Sequence, residues 1–169
     1  MNKGKLRVVK GDATCPQMTT NKEIVMIPHV CNDEKKWGAG FVLALNRKWE
    51  YPERRYKEFC ERNKNVPILG KVCYAKIDEH LVVANMIAQD GTVSADNPKP
   101  IRYKALVNCM AEVESYIEMI RNQVSNPIVI HCPKFGSDLA GGNWDFILEL
   151  IDEIWLNAGI DVVVYEYDG

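Results

Sequence analysis

The chain has 169 residues, 21 basic and 23 acidic, for a net charge of −2, and 47% of it is hydrophobic. That length suits one domain over 1–169 with a full core of its own, and the near-even charge excludes a global field that would gather nucleic acid or an anionic membrane. Apolar runs reach only about five residues against the roughly 20 that span a bilayer, and the N-terminus lacks a secretory apolar segment, so a cytoplasmic chain is expected, in a host cell's cytoplasm if the source is viral.

In chain order, Lys5 to Val9 reads as a short strand and Ile24 to Ile27 as a buried one ending near His29, Val30 and Cys31. Gly40 to Trp49 and Glu53 to Arg62 read as helices separated by Pro52, whose missing N–H and fixed φ break the pattern. Lys71 to Ile77 and His80 to Ile87 read as adjacent strands joined by a tight turn at Asp78-Glu79. The polar, turn-rich segment from Gln89 to Pro100 is the longest loop.

Beyond it, Leu106, Cys109, Met110, Val113, Ile117 and Ile120 recur at helical spacing as one face of a long helix, closed by Asn126-Pro127. Ile128 to Cys132 follows as a strand. Asn143 is the N-cap of a last helix with an inner stripe of Ile147, Leu148, Ile151, Ile154 and Trp155. Gly159 ends that helix before a final strand, Ile160 to Tyr165. Strands alternating with helices predict an α/β domain with a mostly parallel sheet and one antiparallel neighbour. Ligands of such sheets bind at the carboxyl ends of the strands. The loops after Val9, Ile27, Ile87 and Ile130 therefore converge on a site.

The cysteines, Cys15, Cys31, Cys60, Cys73, Cys109 and Cys132, form no Cys-x-x-Cys pair, and His29, His80 and His131 no His-x-x-x-His pair. Reduced, packed thiols and no metal site are expected. His131, between Ile130 and Cys132, reads as a packed residue.

The loop after Ile128 to Ile130 carries the chemistry. Gly136-Ser137-Asp138-Leu139-Ala140-Gly141-Gly142-Asn143-Trp144 is glycine-rich and opens a helix, a pattern that turns backbone N–H groups toward an anion. Neither the P-loop nor the dinucleotide fingerprint is present. Gly38-Ala39-Gly40 is a second such loop, and two of them suit a diphosphate. Lys10-Gly11-Asp12-Ala13-Thr14 puts a carboxylate at the first strand's end, and Asn32 offers both a donor and an acceptor.

His29-Val30-Cys31-Asn32-Asp33, Trp37-Gly38-Ala39-Gly40, Ala84 to Gln89, Pro100-Ile101-Arg102-Tyr103, Pro133-Lys134-Phe135-Gly136 and Leu139 to Trp144, in this order, resemble the macro domain, an ADP-ribose-binding module, and within it the ADP-ribose-1″-phosphate phosphatase subgroup. The resemblance covers nearly the whole chain. It implies a three-layer α/β/α fold with a central mixed, mostly parallel sheet, a monomer, and ADP-ribose or its 1″-phosphate as the small-molecule partner, with no cofactor, membrane or extended nucleic-acid surface.

By that resemblance Asp12, beside Gly11, accepts the adenine amine, with the Ala13 N–H near the ring. Asn32 and the loop of Trp37, Gly38, Ala39 and Gly40 line the distal ribose and one phosphate. Phe135, Gly136, Ser137, Asp138, Leu139, Ala140, Gly141 and Gly142 wrap the diphosphate, and Tyr165 or Tyr167 faces the adenine. His29 and Asp33 are the acid/base candidates, with Asn32 positioning ribose or water. Asp138 either faces the ligand or caps local N–H groups. In a sister subgroup that removes ADP-ribose from glutamate, a lysine and an aspartate stand where this chain has Gln89 and Ala140. The implied reaction is hydrolysis of ADP-ribose 1″-phosphate to ADP-ribose and phosphate. Its rivals are a non-catalytic ADP-ribose-binding module and a hydrolase that removes ADP-ribose from proteins or nucleic acid ends.

Overall fold

A computed structural model describes residues 2–167. Six strands form one sheet in the order β1 (Leu6–Lys10), β6 (Asp161–Glu166), β5 (Ile128–Pro133), β2 (Ile24–Asn32), β4 (Leu81–Gln89), β3 (Val72–Asp78). Every neighbouring pair is parallel except β3 with β4. The central strands β2 and β4 are buried almost throughout, as strands with layers on both faces must be, which explains their near-continuous apolar runs.

Helices α3 (Tyr103–Arg121) and α4 (Trp144–Leu150) cover one face. There Leu106, Met110, Val113 and Ile117 meet Met26, Met86, Ile130 and Val164. The other face is covered by α1 (Phe41–Lys48) and α2 (Tyr51–Arg62), whose Leu45, Tyr56 and Cys60 pack on Val25, Ile27 and Val83. This is the three-layer α/β/α arrangement expected from the sequence.

Several boundaries moved for local reasons. Pro52 sits in the first turn of α2 rather than between the helices, where its missing N–H would have had no intrahelical partner anyway. The hairpin turns at Glu79 and His80, one residue later than expected, because Asp78 Oδ1 accepts from the His80 N–H at 2.7 Å. Asn143 does cap α4, accepting from the Phe146 N–H at 3.0 Å. Past Leu150 the helix widens over Ile151–Leu156, the Asn157 N–H reaching Asp152 O at 3.0 Å. This turn delivers Trp155 beneath α3, where its Nε1–H donates to Met110 O at 2.9 Å.

Beside β1 and β6 the sheet face toward α1 carries a small cluster of its own, against which Phe41 of α1 packs. Ala13, from the irregular segment after β1, packs there on Val129, Val163 and Tyr165. The same segment carries Asp12.

Candidate functional site

The carboxyl ends of β1, β2, β4, β5 and β6 open into one cleft of about 680 Å³. Gly11, Asp12 and Ala13 stand at one end with Tyr165 and Tyr167, and Ala39, Gly40 and the loop from Phe135 to Ala140 form another part of the wall. Convergence on strand ends is what a parallel sheet imposes, since all the loops there leave on the same side.

Asp12 is half-used by its own turn. Its Oδ1 accepts from the Thr14 N–H at 2.8 Å and from Thr14 Oγ1 at 2.7 Å. Its Oδ2 has no partner among the described residues and is free to accept from a ligand amine. In the glycine loop, the N–H groups of Asp138, Leu139 and Ala140 likewise have no acceptor among the described residues. The loop is closed on itself by Gly141 N–H to Asp138 O at 2.9 Å and Gly142 N–H to Gly136 O at 2.8 Å. Open donors held by a closed loop make an anion cradle. The first turn of α1 begins at Gly40 and adds its own unpaired N–H groups and positive dipole end.

Other expected contact residues lie behind the wall. Asn32 does not line the cleft; it holds the loop that does. Its Oδ1 accepts from Glu34 N–H at 2.9 Å and Lys36 N–H at 3.2 Å, and its Nδ2 donates to Lys36 O at 2.9 Å. The Tyr56 hydroxyl lies 2.8 Å from the same Oδ1. Asp33 Oδ1 accepts from the Gly91 N–H at 2.8 Å, joining this loop to the one after β4. The Trp37 indole is buried against His29 and Tyr56 and donates to Asn46 Oδ1 at 3.0 Å. Gly38, Gly141 and Gly142 also stand outside the lining. Their spacing marked the loops correctly as loops, but which loop residue faces inward is a matter of turn geometry.

His29 borders the cleft floor yet is only 1% exposed. Its Nε2 lies 2.5 Å from Asn85 Oδ1, and Asn85 Nδ2 donates to Pro52 O at 3.1 Å, tying β2 through β4 to α2. Burial lowers its pKa to about 4, against the pull of the Asn85 hydrogen bond. At neutral pH this imidazole is uncharged, and its one N–H, on Nε2, is donated to Asn85 Oδ1. The unfolded chain binds that proton near 6.5, so folding stability is full above that pH and falls as pH drops toward 4. Melting temperatures measured across that window are expected to fall less steeply for His29→Gln than for the wild type, and parallel curves would contradict this assignment.

Asp138 remains as the carboxylate that stands in the cradle itself. It lines the cleft, is exposed, and its side chain has no partner among the described residues. Tyr167 is 62% exposed at the mouth, whereas Tyr165 is buried with its hydroxyl engaged at 2.7 Å by the Gln17 N–H. The inner face of α1 was not anticipated: Phe41, Ala44 and Arg47 all line the cleft, and their three-residue spacing would have placed them on one face. Gln89 and Ala140 also line it, and neither side chain can act as nucleophile or titrating acid. No group of three or more histidine, cysteine or acidic side chains suited to a metal occurs among the described residues.

The fold is an α/β/α domain whose strand ends hold, in one cleft, an open carboxylate oxygen on Asp12 and the open N–H groups of residues 138–140. No protein-family model matches the chain. A macrodomain protein from Streptomyces coelicolor is 34% identical, with 96% of this chain and 99% of that one aligned at a TM-score of 0.78. The chain belongs to the macrodomain family. A Bacteroides thetaiotaomicron protein of unknown function is 35% identical over 97% of this chain and 99% of its own, at a TM-score of 0.83. An ADP-ribose 1″-phosphate phosphatase from Lodderomyces elongisporus is 25% identical over 167 residues, covering 96% of this chain and 99% of the relative.

Proposed function

We propose that this chain binds ADP-ribose and hydrolyses ADP-ribose 1″-phosphate to ADP-ribose and inorganic phosphate. The observation that carries the reading is the pairing of the open carboxylate oxygen of Asp12 with the open N–H groups of Asp138, Leu139 and Ala140 in one cleft. The first suits the adenine amine and the second a diphosphate. The relatives named as ADP-ribose 1″-phosphate phosphatases, 25% and 20% identical, support the choice of substrate.

In this reading the adenine lies between Asp12, Ala13 and the last strand, the diphosphate on the 138–140 donors, and the distal ribose toward Gly40 and Gln89. Backbone donors neutralise the phosphoryl oxygens without any proton transfer. Asp138 takes the acid/base part, exchanging a proton with the attacking water or the departing ribose oxygen, while His29 and Asp33 support the floor and loop. Gln89 and Ala140 favour this reaction over removal of ADP-ribose from glutamate, because a lysine nucleophile and its acid partner are both missing there.

Purified chain incubated with ADP-ribose 1″-phosphate in a chelator is expected to release phosphate, and Asp138→Asn to slow kcat by about a hundredfold. Tight calorimetric binding of ADP-ribose with no phosphate release at high enzyme concentration would make the chain a binding module. Release of ADP-ribose from modified protein or nucleic acid, with none of phosphate, would make it a different hydrolase.

A further inference from the structure

Beneath the Asp12 end of the cleft runs a chain of buried polar groups that the proposed reaction does not use. Glu23, just before β2, is 1% exposed, and His131 on β5 is fully buried. The Gln17 N–H donates to the Tyr165 hydroxyl oxygen at 2.7 Å, and that oxygen lies 2.8 Å from His131 Nδ1. His131 Nε2 lies 2.6 Å from Glu23 Oε2, and Thr19 Oγ1 donates to Glu23 Oε1 at 3.1 Å.

The direction of every bond follows from its ends. A backbone amide can only donate, so the phenol oxygen accepts from Gln17, and in a neutral ring whose Nε2–H faces the Glu23 carboxylate Nδ1 is left to accept the phenol's own proton. The ring's proton is then on Nε2, donated to the carboxylate. Burial lowers the His131 pKa, with Glu23 opposing and Arg7 adding to the fall, in keeping with a neutral ring. A buried acid and histidine pair is not needed for stability, since apolar residues of similar shape usually serve as well. What the pair does supply is a fixed position for one end of the chain of bonds.

That end is Gln17. Its Nε2 donates to Lys10 O at 3.0 Å and its carbonyl accepts from Arg7 Nη2 at 3.0 Å. Gly11 lies directly over it, with space for a Cβ only 3.0 Å from Gln17 Nε2 and 3.7 Å from the Tyr165 ring, and its N–H donates to Glu166 O at 3.0 Å. Asp12 and Ala13 are the next residues along.

We propose that the Glu23, His131 and Tyr165 relay is a positioning device for the adenosine half of the ligand, seating the segment after β1 so that Asp12 and Ala13 meet the base. This rests on the reading that adenine binds at the Asp12 end. Neither Glu23 nor His131 touches the ligand; both act through the Tyr165 hydroxyl and Gln17.

The test separates the two halves of the ligand. ADP carries adenosine and diphosphate, and ribose 5-phosphate carries neither adenine nor its ribose. Glu23→Met combined with His131→Phe replaces the pair by apolar side chains. The double variant is expected to melt at or above the wild-type temperature, to bind ADP about tenfold more weakly, and to bind ribose 5-phosphate unchanged. His131→Gln, whose amide can accept from Tyr165 and donate to Glu23, is expected to hold ADP affinity within about threefold of wild type. If the double variant does not fold, Tyr165→Phe, which removes only the hydroxyl, carries the same expectation. Unchanged ADP binding, or equal weakening of both ligands, overturns the relay and leaves the cleft reading standing. A wild-type chain that binds neither ligand overturns that reading and the relay with it.

Discussion

Gly142→Ala is expected to lower kcat/KM for ADP-ribose 1″-phosphate by about a hundredfold or more, the scale on which misplacing a positioned group acts. A Cβ at this residue would lie 2.3 Å from Gly136 O, the carbonyl that accepts the Gly142 N–H at 2.8 Å to close the cradle. Backbone cannot yield as a flexible side chain does. Gly136 itself has a φ of +75° and faces Ile147 and Ile101, so it has no room to retreat. The loop must open, and the N–H groups of Asp138, Leu139 and Ala140 lose their common aim. Phosphate release and calorimetric titration with ADP-ribose would both register the loss. A variant with wild-type affinity would show that the cradle does not hold the diphosphate.

Asn32→Ala is expected to cost about thirtyfold or more in kcat/KM although the side chain does not line the cleft. Three bonds from its amide to Glu34 and Lys36 hold the turn that leads to Gly38, Ala39 and Gly40. That turn includes Lys35 at φ 64°, a conformation unfavourable for a residue with a side chain, so it depends on being clamped. At about 1 kcal/mol for each bond, roughly 2–3 kcal/mol of loop order is at stake. The loss should appear in both substrate affinity and melting temperature. Full activity in the variant would mean that the loop is set by Tyr56 and Asp33 without the amide.

The order and type of the elements were legible because each strand and helix carries its own period. The stripe from Leu106 to Ile117 is buried as one helix face, and Ile24 to Ile27 lies in the centre of the sheet as its unbroken apolar character requires. The site was legible at the level of loops. Asp12, Gly40 and the 136–140 segment do converge. Individual side chains were less so, because Asn32, Asp33 and Trp37 have the chemistry of ligand contacts and the surroundings of a scaffold. His131 and Tyr165 show the same limit from the other side. One reads as strand packing and the other as an aromatic platform, and only their meeting across β5 and β6 with Glu23, 108 residues from His131 in sequence, makes them one network.

By itself the amino-acid sequence determined what depends on neighbours along the chain: the alternation of strands and helices, and the glycine loops that can present open N–H groups. The tertiary structure alone decided which polar groups face the cleft and which are consumed within the wall. That choice depends on distances between residues far apart in sequence, as where a hydrogen bond of 2.5 Å to Asn85 and burial to 1% exposure fix the His29 ring in the cleft floor.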